Sequence, residues 1–153
     1  MNTDKIKTGL QDLIYRLQDA EKGYQEIIKA SSNTIVNKWL KKYAAERHSM
    51  HQDLESIISR MGGKPEVDTT FLGALHRVFI DIKINNTSAE NEFDAIVSEI
   101  ERGAKVLIDD YKKVLAEIEM PADIVTTLMD QKMLVHNELS SLLNLKKEMS
   151  VPA

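Results

Sequence analysis

Ile6, Leu10, Leu13, Leu17, Ala20, Tyr24 and Ile27 follow one another at alternating spacings of four and three. That repeat draws a single apolar seam along a long helix. A broader apolar face follows in Val36, Trp39, Leu40, Tyr43, Met50, Leu54, Ile57, Ile58 and Met61. The four-three seam resumes as Phe93, Val97, Ile100, Ala104, Leu107, Tyr111, Val114 and Ile118. A last stripe is carried by Ile124, Leu128, Val135, Leu139, Leu142 and Leu145. These stripes repeat at helical spacing, and only six glycines and three prolines interrupt the chain, so the pattern predicts helix as the only regular structure.

The punctuation between these stripes sets the helix ends. Ser31, Ser32 and Asn33 can cap a second helix. Gly62 and Gly63 supply a C-terminal turn, and Pro65 cannot continue the helix before it. Thr87 and Glu90 stand in the Thr-x-x-Glu arrangement that satisfies two free backbone N–H groups at a helix start. Pro121 suits a first helical position, and Lys146 and Lys147 suit the negative end of the last helix dipole. The predicted helices are about 3–30, 33–61, a crossover helix 70–84, 88–119 and 121–148, in one domain spanning 1–153.

Long helices of this size measure roughly 40 to 45 Å. Very short joints near 31 and 120 make two antiparallel hairpins. About 26 residues separate the hairpins, enough to run back along the whole bundle at 3.3 to 3.6 Å per extended residue. The expectation is all-α: a ferritin-like four-helix bundle, two antiparallel helical hairpins joined by a long crossover containing a short helix. An up-down-up-down bundle with a protruding arm is the alternative.

Composition narrows the partners. Among 153 residues, 24 acidic and 20 basic side chains interleave to a formal charge of −4, so no basic surface is set aside for a phosphate backbone. The chain has no cysteine, hence no thiolate metal site or thiol nucleophile. The start MNTDKIKTGLQDLIYRL is charged and amphipathic, unlike an export signal, and a cytoplasmic location is expected. No apolar run is long enough to span a bilayer. The mixed charges of the polar faces also argue against a helix lying in a membrane surface. Asn85 and Asn86, which open formal glycosylation sequences, read as turn residues.

Four stretches, LQDLIYRLQDAEKGYQ, RMGGKP, GALHR and SEIERGAKVLIDDYKKVL, together resemble a bacterial family of ferritin-like four-helix bundles, domain of unknown function 2383. The resemblance runs over roughly residues 5 to 145. It implies a small cytosolic bundle with a helical crossover and no assigned activity. Where the family pattern often reads Glu-Arg-Gly-Glu, this chain has Glu101, Arg102, Gly103 and Ala104.

Ferritin-like carboxylate proteins hold two metal ions between two helices giving a Glu each and two giving Glu-x-x-His. Helix lengths put the midplane near residues 17–21, 44–48, 101–105 and 133–137, where Glu21, Glu46, Glu101 and His136 are the candidate ligands for iron or manganese. Ser49 follows Glu46 by three and Met133 precedes His136 by three, so neither Glu-x-x-His pair is intact. A buried polar network is the competing expectation, with Arg47 pairing with Glu46 or Glu21 and Gln131 assisting. Counting around the second helix, His48 falls on a solvent-facing set and His51 nearer the apolar border. Three apart, they can chelate a surface Zn²⁺, but the sequence fixes no third ligand. His76 reads as a tie between crossover and bundle.

Glycine-rich phosphate loops and nucleophile elbows are absent, and no catalytic residue is assigned. The first functional reading is a non-catalytic bundle acting through self-association, as a homo-oligomer, or through a protein partner. Trp39, Leu40, Val78 and Phe79 prompt it, because they cannot all face one core. The second is a metal-binding protein or weak di-iron or manganese oxidase using the midplane set.

Overall fold

The computed structural model describes residues 1–66, 74–84 and 89–150, and all regular structure among them is α-helical. The helices are α1 (Thr3–Ala30), α2 (Thr34–Arg60), α3 (Ala74–Ile84), α4 (Ala89–Glu117) and α5 (Ala122–Ser150). Asn2 caps α1 by accepting from the Lys5 N–H, and Asn33 caps α2 by accepting from Ile35 and Val36. The α2 end closes as the glycines require. Gly62 takes φ +81, its N–H reaches the Ser59 carbonyl, and Gly63 N–H reaches that of Ile58. Pro121 lies just before α5, its carbonyl accepting from Val125. Thr87, Asn85 and Asn86, and the first part of the predicted crossover helix, lie outside the described residues, as does the Glu90 side chain.

Cross-helix contacts fix the topology. Glu21 meets His51 and Gln18 meets Glu55, so α1 and α2 are antiparallel. Tyr111 meets Gln131, which pairs α4 with α5 in the same sense. Arg16 meets Asp110 at 3.1 Å, and Gly9 faces Val114 and Ile118, so α4 runs against α1. Trp39 donates to Ser141, and Gln131 to the Met50 carbonyl, so α5 runs against α2. Two hairpins therefore pack with α2 and α4 parallel, so the end of α2 and the start of α4 lie at opposite ends of the bundle and a crossover joins them. α3 belongs to that crossover and packs on α1 and α4, with Leu75 seated over Gly23. No helix among the described residues is long and apolar enough to cross a membrane.

The core has two halves. One holds Leu10, Leu13, Leu54, Ile57, Leu107 and Leu128, and the other holds Ile27, Val36, Leu40, Ile96, Leu142 and two α3 residues, Val78 and Ile82. Each fully buried aliphatic side chain contributes about 1.5 to 3 kcal/mol relative to exposure. Trp39, Leu40 and Val78 are buried in one cluster, and Phe79 packs against that cluster. With α3 present one interior accommodates all four, which removes them as grounds for association.

Candidate metal centre

A polar layer lies where the two halves of the core meet. Arg47 sits on the α2 seam between Tyr43 and Met50, and Glu138 on the α5 seam between Val135 and Leu142. Their side chains are 1% and 0% exposed, and Arg47 Nη2 forms an ion pair with Glu138 Oε2. Tyr24 of α1 donates to Glu138 Oε1 at 2.5 Å, and Arg47 Nη1 contacts Met50 Sδ at 3.5 Å. Beside this group, Tyr111 donates to Gln131 at 2.6 Å, and Gln131 donates to the Met50 carbonyl.

Burial dominates the protonation of this layer. It pushes the Glu138 carboxyl above the usual carboxylate range, while the Arg47 guanidinium pulls the other way. It holds the Tyr24 phenol well above its ordinary value, with the charge of Glu138 adding to the shift. Burial opposes the charge on Arg47, but Glu138, Tyr24, Tyr111 and Glu46 outweigh it and Arg47 is raised overall.

The four midplane candidates go to different places. Glu101 is paired with Lys105 along its own helix at 3.1 Å. Glu46 is half-buried, its carboxyl raised by burial against the pull of Arg47 and Lys42, with Oε1 buried and lacking a hydrogen-bond partner among the described residues. His136 shares the outward face of α5 with exposed Met129 and Met133. Glu21 alone joins a cluster of three ligand-type side chains, and its companions are His48 and His51. Arg47 pairs with Glu138, not with the expected Glu46 or Glu21. A guanidinium buried at the midplane repels cations, so the layer does not fit the iron or manganese pair of a ferritin-like centre.

The cluster that does form lies at the α1–α2 seam's edge. Glu21 Oε1 is 2.7 Å from His51 Nε2, and Oε2 is 3.0 Å from His48 Nδ1. The two imidazoles, with ring centroids 5.0 Å apart, project from one face of α2 because they are three residues apart. Side-chain exposure grades from 8% at His51 and 16% at Glu21 to 49% at His48. One side of the cluster is thus anchored and the other open to solvent. The second nitrogen of His51 contacts Glu55 Oε1 at 3.2 Å, and Gln18 donates to that same oxygen. This is the brace that metal-ligating histidines usually have: a carboxylate fixing the ring and its tautomer. Two imidazoles and one carboxylate with open positions suit zinc or another divalent first-row metal.

Sequence counting found His48 and His51 but not their third partner, because Glu21 meets them only through the stagger of α1 on α2. It missed Glu138 although a signal existed. Positions 128, 131, 135, 138, 142 and 145 keep the four-three spacing once polar residues are counted, whereas the apolar residues alone select Leu139.

The chain belongs to the family described as Domain of unknown function (DUF2383), whose model matches residues 5–117. No curated protein matches it. The matched span contains Glu21, His48, His51 and Glu55 and ends before α5, so Glu138 reaches Arg47 from beyond it.

Proposed function

We propose that this member of the family binds one divalent first-row transition-metal ion through Glu21, His48 and His51. The observation that carries the reading is the geometry of these ligand atoms, all within 4.8 Å of one another, together with the Glu55 brace on His51. The ion would displace the protons that bridge these atoms, and solvent would complete its coordination beside the exposed His48. Zinc fits the donor set best, with manganese and ferrous iron as competitors. The crossover connectivity supports a ferritin-like scaffold whose midplane is taken by Arg47 and Glu138, which favours binding at the hairpin over oxidase chemistry in the core.

Elemental analysis and zinc titration of the purified chain test this. A single ion per chain, lost in His48→Ala and His51→Ala, is the expected result. Zinc content that is negligible, or unchanged in both variants, overturns it. The alternative outcome is a hydrogen-bonded clasp between α1 and α2 with no ligand.

Association is a second reading, favoured by one observation: Met129, Met133 and Leu143 on α5 are 54%, 57% and 43% exposed. Self-association through this stripe predicts a dimer by light scattering that Met133→Lys dissociates. A monomer at high concentration overturns it.

A further inference from the structure

The Met-x-x-His of α5, which breaks the iron-type pattern, is itself a pattern of soft donors. Residues 129, 133 and 136 lie within an arc of about 60° around a helix of 3.6 residues per turn. That arc is opposite the face that buries Leu128, Gln131, Val135, Glu138 and Leu142. Met129 and Met133 are more than half exposed. His136 is half-buried and has no hydrogen bond or ion pair to any described residue.

We propose that Met129, Met133 and His136 form a second site, on the outer face of α5, for a monovalent thiophilic ion: copper(I), with silver(I) as its redox-inert analogue. Met133 stands four residues from Met129 and three from His136, about 5 to 6 Å from each at Cβ, and so lies between two donors that are about 10 Å apart along the axis. The three rotatable bonds of each methionine let its sulfur swing toward a common point. The two thioethers select copper(I), which imidazole also accepts, whereas carboxylate donors suit harder divalent ions. The site is also uncharged, since both thioethers and neutral imidazole bring no anion to balance a dication. It therefore differs in ligand class from Glu21, His48 and His51 and stands independently of that reading, but it needs Met129 and Met133 open to solvent and so competes with a dimer through the same stripe.

The experiment is a silver(I) titration of the full chain in chloride-free buffer, followed by methionine methyl NMR and by competition with a copper(I) chelator. The expected result is one ion per chain that shifts the Met129 and Met133 methyl resonances and leaves buried Met50 unmoved. Met129→Leu/Met133→Leu keeps the helix and its apolar face, which circular dichroism checks, and should weaken binding by about tenfold or more, or 1.4 kcal/mol. His136→Gln should weaken it as well. Unchanged affinity in the double leucine variant overturns the proposal. So does silver binding that disappears in His48→Ala/His51→Ala while the methionine variants retain it.

Discussion

Arg47 and Glu138, one on α2 and the other on α5, form an ion pair whose side chains are 1% and 0% exposed. Removing two charges from water costs several kcal/mol each, and their attraction recovers this only when the geometry is good and other polar partners assist. Tyr24 assists Glu138, with its hydroxyl on the other carboxylate oxygen. The pair also joins α5 to the α1–α2 hairpin across the middle of the core, where a shift in register would leave both charges buried and unpaired.

Breaking the pair should therefore cost far more than replacing it. Glu138→Leu alone is expected to lose about 3 to 5 kcal/mol by leaving Arg47 charged and alone. Arg47→Met/Glu138→Leu should return stability to near the parent value. Urea unfolding of the four corners of this cycle gives the answer, and additive losses would contradict it.

The raised carboxyls set the direction of the pH dependence. Burial raises Glu46 and Glu138 in the folded chain, so between the unfolded value of about 4.3 and the raised value the folded state binds more protons. Their contribution to stability is full at acid pH and is lost as pH rises through the raised values. Glu46→Gln should thus gain on the parent as pH goes from about 4 to 7, by less than about 1 kcal/mol because Glu46 is partly solvated. Thermal unfolding at three pH values measures it, and an advantage that shrinks with rising pH would contradict the sign.

Gly23 and Gly103 should respond oppositely to alanine. A Cβ on Gly23 would stand 2.5 Å from Leu75 Cδ1 and 2.9 Å from its Cβ, so α3 must move away. Overpacking of this kind costs about 1 to 3 kcal/mol, more than the helix-propensity gain of about 1 kcal/mol. A Cβ on Gly103 would meet nothing within 4 Å beyond its own stretch of helix, and alanine there should add about 0.5 to 1 kcal/mol. Melting temperatures that move in the same direction would refute the assignment of Gly23 as the crossover's seat.

Glu55 tests the brace on the candidate metal centre. It touches His51 rather than the ion, so Glu55→Gln should lower zinc affinity by about 10- to 100-fold while leaving the stoichiometry intact. Unfolding without metal should change little, since Glu55 is partly exposed. A loss of apo stability with unchanged zinc affinity would make Glu55 a purely structural contact.

Helices, hairpins and the crossover were legible because they rest on local chemistry. The four-three spacing of α1 and α4, the Asn33 cap and the Gly62 turn each act within a few residues of themselves. The polar positions were legible only as a set. Glu21, Arg47, His48, His51 and Gln131 stood out as buried or clustered polar side chains before their partners were known. Arg47 could have met Glu46, Glu21 or Glu138, and nothing in its own helix selects among them.

By itself the sequence determined that four long amphipathic rods form two hairpins, since apolar spacing and turn residues act through neighbours along the chain. Tertiary structure decided which polar side chains meet, because that depends on how each rod is rotated and staggered against the others. A few ångströms of stagger bring Glu21 to His48 and His51, and the rotation of α5 buries Glu138 against Arg47 while turning Met129, Met133 and His136 outward. Those displacements are set by close packing of side chains from distant segments, and no single segment encodes them.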